Sequence, residues 1–306
     1  MRILGIDTSN YTTSVAVLDE NGYREERTVL TVKEGERGLR QSDALFLHIQ
    51  NLPALLDKLS PGRVDAVAVS SRPRDVEGSY MPCFLAGVTA GKTAAAAADV
   101  PFFSFSHQAG HLMAALKSCG DETALGNEFL AFHLSGGTTE LLHVTRTAGT
   151  GFAVELLGAT GDISAGQLVD RTGVLLGLRF PCGGELEKLA AGATKIVKPH
   201  VCVREGNCNL SGAENKIIQM NNTGESPETI ARFALDFVEE TVLGMSRYAR
   251  EKFPSLPILY AGGVMRNAYL RSRLLAELPD IFFAETALSS DNAVGICYLG
   301  WEAMHE

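Results

Sequence analysis

Two histidines four residues apart, His107 and His111, follow the aromatic, apolar run Val100-Pro101-Phe102-Phe103-Ser104-Phe105-Ser106. The run reads as a buried strand, and the apolar residues from Leu112 to Leu116 read as a helix. If that helix begins near Ser106, both imidazoles share one face and reach a single metal ion. The same order of features recurs near the other end of the chain. There Ile281-Phe282-Phe283-Ala284 leads through Ser289-Ser290-Asp291-Asn292 into another apolar helical run. Asp291 is the candidate third ligand. Two imidazoles and a carboxylate leave coordination positions open, as in catalytic zinc or non-haem iron sites. Gln108 stands where a His-Glu-x-x-His motif places its general base, which disfavours a zincin protease.

Three turns have the composition of phosphate binders: Thr8-Ser9-Asn10, Ser135-Gly136-Gly137-Thr138-Thr139 and Gly262-Gly263-Val264-Met265-Arg266-Asn267. Glycine lets the backbone approach a ligand, while N–H groups and hydroxyls donate to anionic oxygens. One such turn is more often structural than functional, but three at matching positions of a repeat point to a nucleotide. No Walker A motif occurs, and no Gly-x-Gly-x-x-Gly follows the first strand, which disfavours P-loop and Rossmann readings. Asp170 is open to two readings, a solvated helix face or an acceptor for ribose hydroxyls. The turn Phe180-Pro181-Cys182-Gly183-Gly184 could lie against a nucleoside, with Glu187 on the next helical turn as a further acceptor. His48, His133, His143, His200 and His305 read from their context as structural. His200, Cys202 and Cys208 would make part of a second metal site only if a fourth ligand joined them.

The elements that must position these groups repeat. Strands are expected at Ile3 to Asp7, Ser14 to Leu18, Arg24 to Leu30, Val64 to Ser70 and Pro101 to Ser106. Helices are expected at Gln41 to Lys58, with Leu45, Leu47, His48, Leu52, Leu55 and Leu56 toward one face, and at Cys83 to Ala97. The pattern then restarts with strands at Glu128 to Leu134, Glu140 to Thr145 and Gly151 to Leu157. Helices follow at Ser164 to Leu178 and Pro227 to Lys252, strands at Pro257 to Ala261 and Ile281 to Ala284, and a helix at Gly295 to Met304. Three strands around a Ser/Thr/Gly turn, then alternating helices and strands, occur twice. The expected architecture is therefore a two-lobed, internally duplicated α/β fold. The N-terminal lobe spans 1–127 and is completed by a C-terminal helix at 292–306. The C-terminal lobe spans 128–291, with a loop-rich insertion at 181–225. Lobes of this kind enclose a cleft that the strand-end turns face.

Bulk properties narrow the class. With 306 residues, 45% hydrophobic and 21% charged, the chain suits a globular protein of two sizeable cores. The opening Met1-Arg2-Ile3-Leu4-Gly5-Ile6-Asp7 is interrupted too early for a signal peptide, and no apolar run reaches membrane-spanning length, so a cytoplasmic protein is expected. Six dispersed cysteines fit reduced thiols in that compartment. A net charge of −9 argues against a general nucleic-acid binder, though a local basic patch or a partner subunit could supply phosphate contacts.

Taken in order, seven stretches match one family. They are Gly5-Ile6-Asp7-Thr8-Ser9, Ser106-His107-Gln108-Ala109-Gly110-His111, Ser135-Gly136-Gly137-Thr138-Thr139-Glu140-Leu141, Gly161-Asp162-Ile163-Ser164-Ala165-Gly166, Phe180-Pro181-Cys182-Gly183-Gly184, Gly262-Gly263-Val264-Met265-Arg266-Asn267 and Ser290-Asp291-Asn292-Ala293. The chain resembles the TsaD (YgjD/Gcp) family, once called O-sialoglycoprotein endopeptidases, essentially from end to end. The resemblance implies an actin/Hsp70/sugar-kinase (ASKHA) fold with nucleotide and metal in the interlobe cleft. It implies transfer of a threonylcarbamoyl group from its adenylate to the N6 amine of a tRNA adenosine next to the anticodon. By similarity, His107, His111 and Asp291 would hold one divalent metal, iron or zinc. His133, Leu134, Ser135, Gly136 and Gly137, with Asp170, Gly183, Glu187 and Asn267, would hold the adenine nucleotide, threonylcarbamoyl-AMP or ATP. Asp7 is the candidate base for the amine proton. The implied partners are tRNA, reached through other subunits, a TsaB-like paralogue and an ATPase.

The departures fall on the rim of that site. The family's first turn usually reads Glu-Thr-Ser-Cys-Asp-Glu-Thr, whereas here Asp7-Thr8-Ser9-Asn10-Tyr11-Thr12-Thr13 lacks its later acidic residues. The Gly-Pro-Gly turn after the fourth strand is replaced by Arg72-Pro73-Arg74-Asp75-Val76-Glu77-Gly78. Thr138 stands in place of a histidine, and Asp162-Ile163-Ser164-Ala165-Gly166-Gln167 replaces an Asp-Asp-Ala-x-Gly-Glu run. A divergent paralogue fits this pattern. It leaves two further readings: a carbamoyl or phosphoryl transferase acting on a small molecule, and a non-catalytic nucleotide-binding partner of the true transferase. Retention of all three metal ligands argues against the latter.

Overall fold

A computed structural model describes residues 1–9, 11–31, 39–147, 151–285, 288 and 293–305. The chain forms two compact units, one of residues 1–118, 145–153 and 287–306, the other of residues 119–144 and 154–286.

The first unit is built on strands β1 (Ile3–Ser9), β2 (Thr12–Asp19) and β3 (Gly22–Val29), helix α1 (Gln41–Leu59), strand β4 (Ala66–Arg72), helix α2 (Phe84–Ala98), strand β5 (Phe102–Ser106) and helix α3 (His107–Ser118). Its sheet runs β3-β2-β1-β4-β5. The β1–β2 and β2–β3 pairs are antiparallel, and β4 and β5 continue parallel to β1. Period-two alternation sorts the strand residues between two layers. Leu4, Ile6, Val15 and Val17 face Leu52, Leu55 and Leu59 of α1 and Ala86 and Ala95 of α2. On the other face, Ala16 and Leu18 meet Ala114 of α3 and residues of the last helix.

The second unit opens with α4 (Glu122–Leu125) and continues through β6 (Glu128–Leu134), β7 (Thr139–Thr147) and β8 (Gly151–Ala159), whose adjoining ends at 145–153 count with the first unit, and then α5 (Ala165–Leu175) and α6 (Gly183–Ala190). A two-residue hairpin of β9 (Val203–Arg204) and β10 (Asn207–Cys208) precedes α7 (Ser211–Asn222) and α8 (Pro227–Lys252). Strand β11 (Ile258–Ala261), a 3-10 turn (Gly263–Arg266), α9 (Ala268–Glu277) and β12 (Ile281–Phe283) complete it. Helix α10 (Val294–Ala303) belongs to the first unit. The second sheet runs β12-β11-β6-β7-β8. Read from its other edge, this is the strand order of the first sheet, so the duplication expected from the repeating pattern is present.

Helix α10 packs onto α3 and β1 through a missing side chain. A Cβ on Gly295 would lie 1.9 Å from the carbonyl oxygen of Gly110. Only glycine lets the two helices approach this closely. The contact fixes α3, which carries both histidines, against the sheet.

Helix α8 has the bounds its periodicity predicts. Ser226 Oγ accepts the Thr229 N–H at 3.3 Å, and Pro227 occupies the first helical position, where a missing N–H costs nothing. The α1 face differs slightly from expectation. Ala44, His48, Leu52, Leu55 and Leu59 are its buried residues, while Leu45, Leu47 and Leu56 are half-buried. The 181–225 stretch is less loop-like than its composition indicates, since it carries α6, the hairpin and α7. In α7 only Ala213, Ile217 and Met220 are buried, an apolar stripe too sparse to stand out among polar neighbours. Among the described residues no helix is long and apolar enough to cross a membrane. None of the six cysteines forms a disulfide.

Candidate functional site

Helix α3 begins at the first histidine, and its start is built by side chains and a neighbouring loop. Ser106 Oγ accepts the Ala109 N–H at 3.1 Å, and the Gln108 N–H donates to the carbonyl of Pro73 at 3.0 Å. These bonds satisfy two of the amides that a helix start leaves open. One turn separates His107 from His111, so the rings meet edge to face with centroids 4.3 Å apart. Their Nε2 atoms are 2.8 Å apart.

Asp7, 1% exposed at the end of β1, completes the arrangement. Its Oδ2 lies 2.7 Å from His107 Nδ1, and its Oδ1 accepts the Ser9 N–H at 2.8 Å. An ionised carboxylate only accepts, which assigns the proton of a neutral His107 to Nδ1 and leaves its Nε2 lone pair directed at His111. Two Nε2 atoms at this separation share either one proton or one cation. Two nitrogens about 2.1 Å from a common metal at this spacing subtend roughly 84°, a cis angle of an octahedral site, and the rings would part by roughly 0.6 Å to reach the tetrahedral angle usual for zinc. A carboxylate on the far nitrogen of a ligating imidazole is the usual outer partner of such a site. The donor set therefore fits zinc or ferrous iron. Asp7 backs the pair rather than adding a third donor beside the two Nε2 atoms. Among the described residues no group of three His, Cys, Asp or Glu side chains converges on a metal position. Asp291 lies outside the described residues.

A polar row that composition alone does not expose extends across the same sheet face. Ser14 pairs with Asp7 in the β1–β2 register. Its Oγ donates to Glu25 Oε1 at 3.0 Å and accepts the Ala293 N–H at 2.8 Å. Burial pushes the Glu25 carboxyl above its ordinary range, against the opposing pull of Arg27 and the Ser14 hydroxyl. The register sets Ser14 opposite Arg27 and Glu25 opposite Ala16, so Glu25 reaches Ser14 as a diagonal neighbour on the same face.

In the second unit, β6 ends at Leu134 and the chain folds into a tight polar turn. Ser135 Oγ accepts the N–H groups of Gly137 at 3.2 Å and Thr138 at 3.1 Å, while the Ser135 N–H donates to the Thr138 carbonyl at 2.9 Å. Thr138 Oγ1 sits 2.9 Å from Ser135 Oγ and 3.3 Å from His133 Nδ1. Thus the residue that departs from the family pattern closes this turn. The N-terminus of α5 packs onto it: the Gly166 N–H donates to the Ser135 carbonyl at 3.2 Å, and Ser164 Oγ to that of Gly136 at 2.9 Å. A reciprocal capping box between Ser164 and Gln167 starts that helix. At the end of β11, Gly262 has φ 100°, and a Cβ there would lie 2.3 Å from the Leu134 carbonyl oxygen. The Gly-Gly turn is thereby pressed against the end of β6.

The other expected nucleotide residues join the same group of helix starts. Asp170 Oδ1 accepts the Cys182 N–H at 2.8 Å, beside Gly183 at the start of α6. Glu187 Oε1 accepts the Tyr269 N–H at 3.0 Å, and Asn267 Oδ1 the Leu270 N–H at 2.9 Å. Glu187 and Asn267 thus cap α9 together. Phe180 is 74% exposed ahead of α6. Asp162 anchors α7 instead: its Oδ1 accepts the Leu210 N–H, and its Oδ2 the Ser211 hydroxyl and N–H. His200, Cys202 and Cys208 do not assemble. Cys208 is buried, and burial pushes its thiol up to about 11, whereas His200 and Cys202 are exposed.

The fold has relatives among solved structures. Full-length HypF in its phosphate- and nucleotide-bound form aligns with TM-score 0.62 and 13% identity over 100% of this chain and 47% of its own. The (R)-2-hydroxyglutaryl-CoA dehydratase component A of Acidaminococcus fermentans aligns with TM-score 0.57 and 16% identity over 99% of both chains. The ROK hexokinase of Thermus thermophilus gives 0.52 and 14% over 100% of both. These likenesses place the chain in the ASKHA fold. In sequence, proteins described as tRNA N6-adenosine threonylcarbamoyltransferase from Streptococcus gordonii and Streptococcus pneumoniae are each 30% identical over 97% of this chain and 90% of their own. The family model described as TsaD, tRNA N6-adenosine threonylcarbamoyltransferase, matches residues 46–298. A match of that extent, with relatives of this identity along nearly the whole chain, makes it a divergent member of the TsaD family.

Proposed function

We propose that this chain transfers a threonylcarbamoyl group from threonylcarbamoyl-AMP to the N6 amine of a tRNA adenosine next to the anticodon. The observation that carries the reading is the His107–His111 pair, with Nε2 atoms 2.8 Å apart and Asp7 on the far nitrogen of His107. It supports binding of one zinc or iron ion by His107 and His111, with Asp291 as the third ligand. When bound, the metal supplies Lewis acidity to a carbonyl or phosphoryl oxygen of the mixed anhydride. Asp7, engaged through both oxygens, keeps His107 protonated at Nδ1 and oriented.

In this reading the second unit binds the adenylate. The turn from His133 to Gly137 offers backbone N–H groups and hydroxyls to phosphate oxygens, next to the start of α5. Gly183 and Asn267 stand at the starts of α6 and α9, where amides and helix dipoles also favour anions. Asp170 and Glu187 each use one carboxylate oxygen to tie these starts together, and the other oxygen is the acceptor for ribose hydroxyls. The amine attacks the carbonyl carbon of the anhydride, the C–O bond to phosphate breaks, and AMP leaves as its phosphate or solvent takes up the proton the amine loses. Asp7, with both oxygens engaged by His107 and Ser9, orients the pair rather than acting as that base. Partners of the kinds the resemblance implies, a TsaB-like paralogue and an ATPase, would add tRNA contacts, in keeping with a net charge of −9 that argues against general nucleic-acid binding by this chain alone.

One observation favours a second reading, carbamoyl or phosphoryl transfer to a small acceptor. The β1–β2 turn carries no carboxylate after Asp7, and the loop after β4 has side chains where the family has glycines. Nucleoside mass spectrometry decides between the two, using tRNA from a strain in which this chain is the sole family member. Threonylcarbamoyladenosine in that tRNA supports the tRNA reaction; its absence, with the other pathway components present, favours the small acceptor.

A further inference from the structure

The first turn of α3 is held by the loop after β4. An α-helix leaves its first N–H groups without partners inside the helix. Here the Gln108 amide is taken by the Pro73 carbonyl and the Ala109 amide by Ser106 Oγ. Ser106 is 1% exposed, and its own hydroxyl donates to Asp75 Oδ2 at 2.5 Å. The other Asp75 oxygen accepts from Arg72 through Nε at 3.0 Å and Nη2 at 2.5 Å. Arg72 Nη1 donates to Ser71 Oγ, which donates to the Phe105 carbonyl on β5. The loop is therefore stitched to the β5–α3 junction at two points, Pro73 and Asp75, and the end of β4 adds a third through Ser71.

A serine hydroxyl has one proton to give, two lone pairs, and free rotation. With its proton given to Asp75, Ser106 presents its lone pairs to the Ala109 amide. The carboxylate makes the Ser106–Asp75 bond charge-assisted and stronger than a neutral one. His107 is the first residue of α3, so it lies in the turn that frays once the cap is lost. A displacement there would separate its Nε2 from that of His111. Glycines at these loop positions would offer no side chain for the task.

We propose that Asp75 is a positioning residue for the histidine pair: through Ser106 it holds the start of α3, and so keeps His107 in place beside His111 for a divalent cation. This rests on the metal-binding reading of the pair. The test titrates the metal-stripped full chain with Co(II), following the visible absorption of the bound ion, for wild type, Asp75→Ala and Asp75→Asn. Amide exchange at Ala109 is measured in the same metal-free proteins. Asp75→Ala should bind Co(II) about tenfold more weakly, the scale seen for outer partners of metal ligands, and should exchange Ala109 faster. Asp75→Asn keeps an acceptor for the Ser106 hydroxyl and should recover most of both losses. Wild-type Co(II) affinity in Asp75→Ala overturns the proposal, whatever Ala109 does. No Co(II) uptake by the wild type sinks the metal reading itself; faster Ala109 exchange in Asp75→Ala then still supports the latch, and unchanged exchange removes that too.

Discussion

His107 presents one ring nitrogen to Asp7 at 2.7 Å and the other to His111 at 2.8 Å. The first contact fixes the tautomer, and the tautomer decides whether the second can become a metal site. Asp7→Asn weakens the hold on the Nδ1 proton without removing bulk. It should lower zinc or iron affinity by roughly tenfold, whereas His107→Ala and His111→Ala should each abolish stoichiometric metal. Elemental analysis after dialysis against a graded chelator reads all three. Full metal in both alanine variants would remove the ligand assignment.

The crossing of α3 and α10 gives a sharp steric test. A Cβ on Gly295 would meet the Gly110 carbonyl oxygen at 1.9 Å and the Ala114 nitrogen at 2.9 Å, both backbone atoms that cannot swing away. Gly295→Ala should therefore destabilise the first unit by about 3 kcal/mol, at the upper end for overpacking. Gly212→Ala in α7 is the control, since nothing lies within 4 Å of its added carbon. That variant should stay within about 1 kcal/mol of wild type, with any gain coming from helix propensity. Urea midpoints for the two variants check the contrast.

What the sequence exposes and what it hides follow from range. Helix α8 is legible because a long amphipathic stripe and a Ser226-Pro227 start are local signals. His107 and His111 are legible as a pair because helical spacing alone brings them together. Asp7 reaches His107 across a hundred residues of sequence, and Asp75 reaches Ser106 from a loop whose path no periodicity encodes. Glu25 is hidden by strand register, since a one-residue slip would turn it to the opposite face. In the 181–225 stretch, α7 escapes notice because three apolar residues suffice to seat it. The turn after β6 is legible as a polar glycine turn, but the role of Thr138 in closing it depends on a bond to His133 that composition cannot supply.

Asn267 offers a way to separate fold from ligand in the second unit. Its side chain caps α9, so Asn267→Ala should cost about 1 kcal/mol. Aspartate caps equally well, so Asn267→Asp should leave stability nearly unchanged. If the start of α9 meets nucleotide phosphate, the added negative charge should still weaken AMP or ATP binding by tenfold or more. Calorimetric titration beside thermal unfolding distinguishes the two effects. Equal nucleotide affinity in wild type and Asn267→Asp would move the phosphate away from α9.

Two carboxylates should give stability profiles of opposite sign. Burial raises the Asp162 carboxyl, but hydrogen bonds from the Ser211 hydroxyl and the amides of Leu210, Ser211 and Ile163 outweigh it and leave the group below its ordinary value. Its contribution is therefore complete above the unfolded pKa of about 4 and is lost as pH falls through the lower folded value. Asp162→Asn should be less stable than wild type at neutral pH, with the gap closing in acid. Glu25 is raised by burial, so between its unfolded value, about 4.3, and its folded one the native state binds more protons. Stability then falls as pH rises through that window. Glu25→Gln, which keeps the shape and the acceptor for Ser14, should match wild type in acid and surpass it above the window. Urea unfolding from pH 3 to 8 reads both series, and parallel curves for either variant and wild type would sink that assignment.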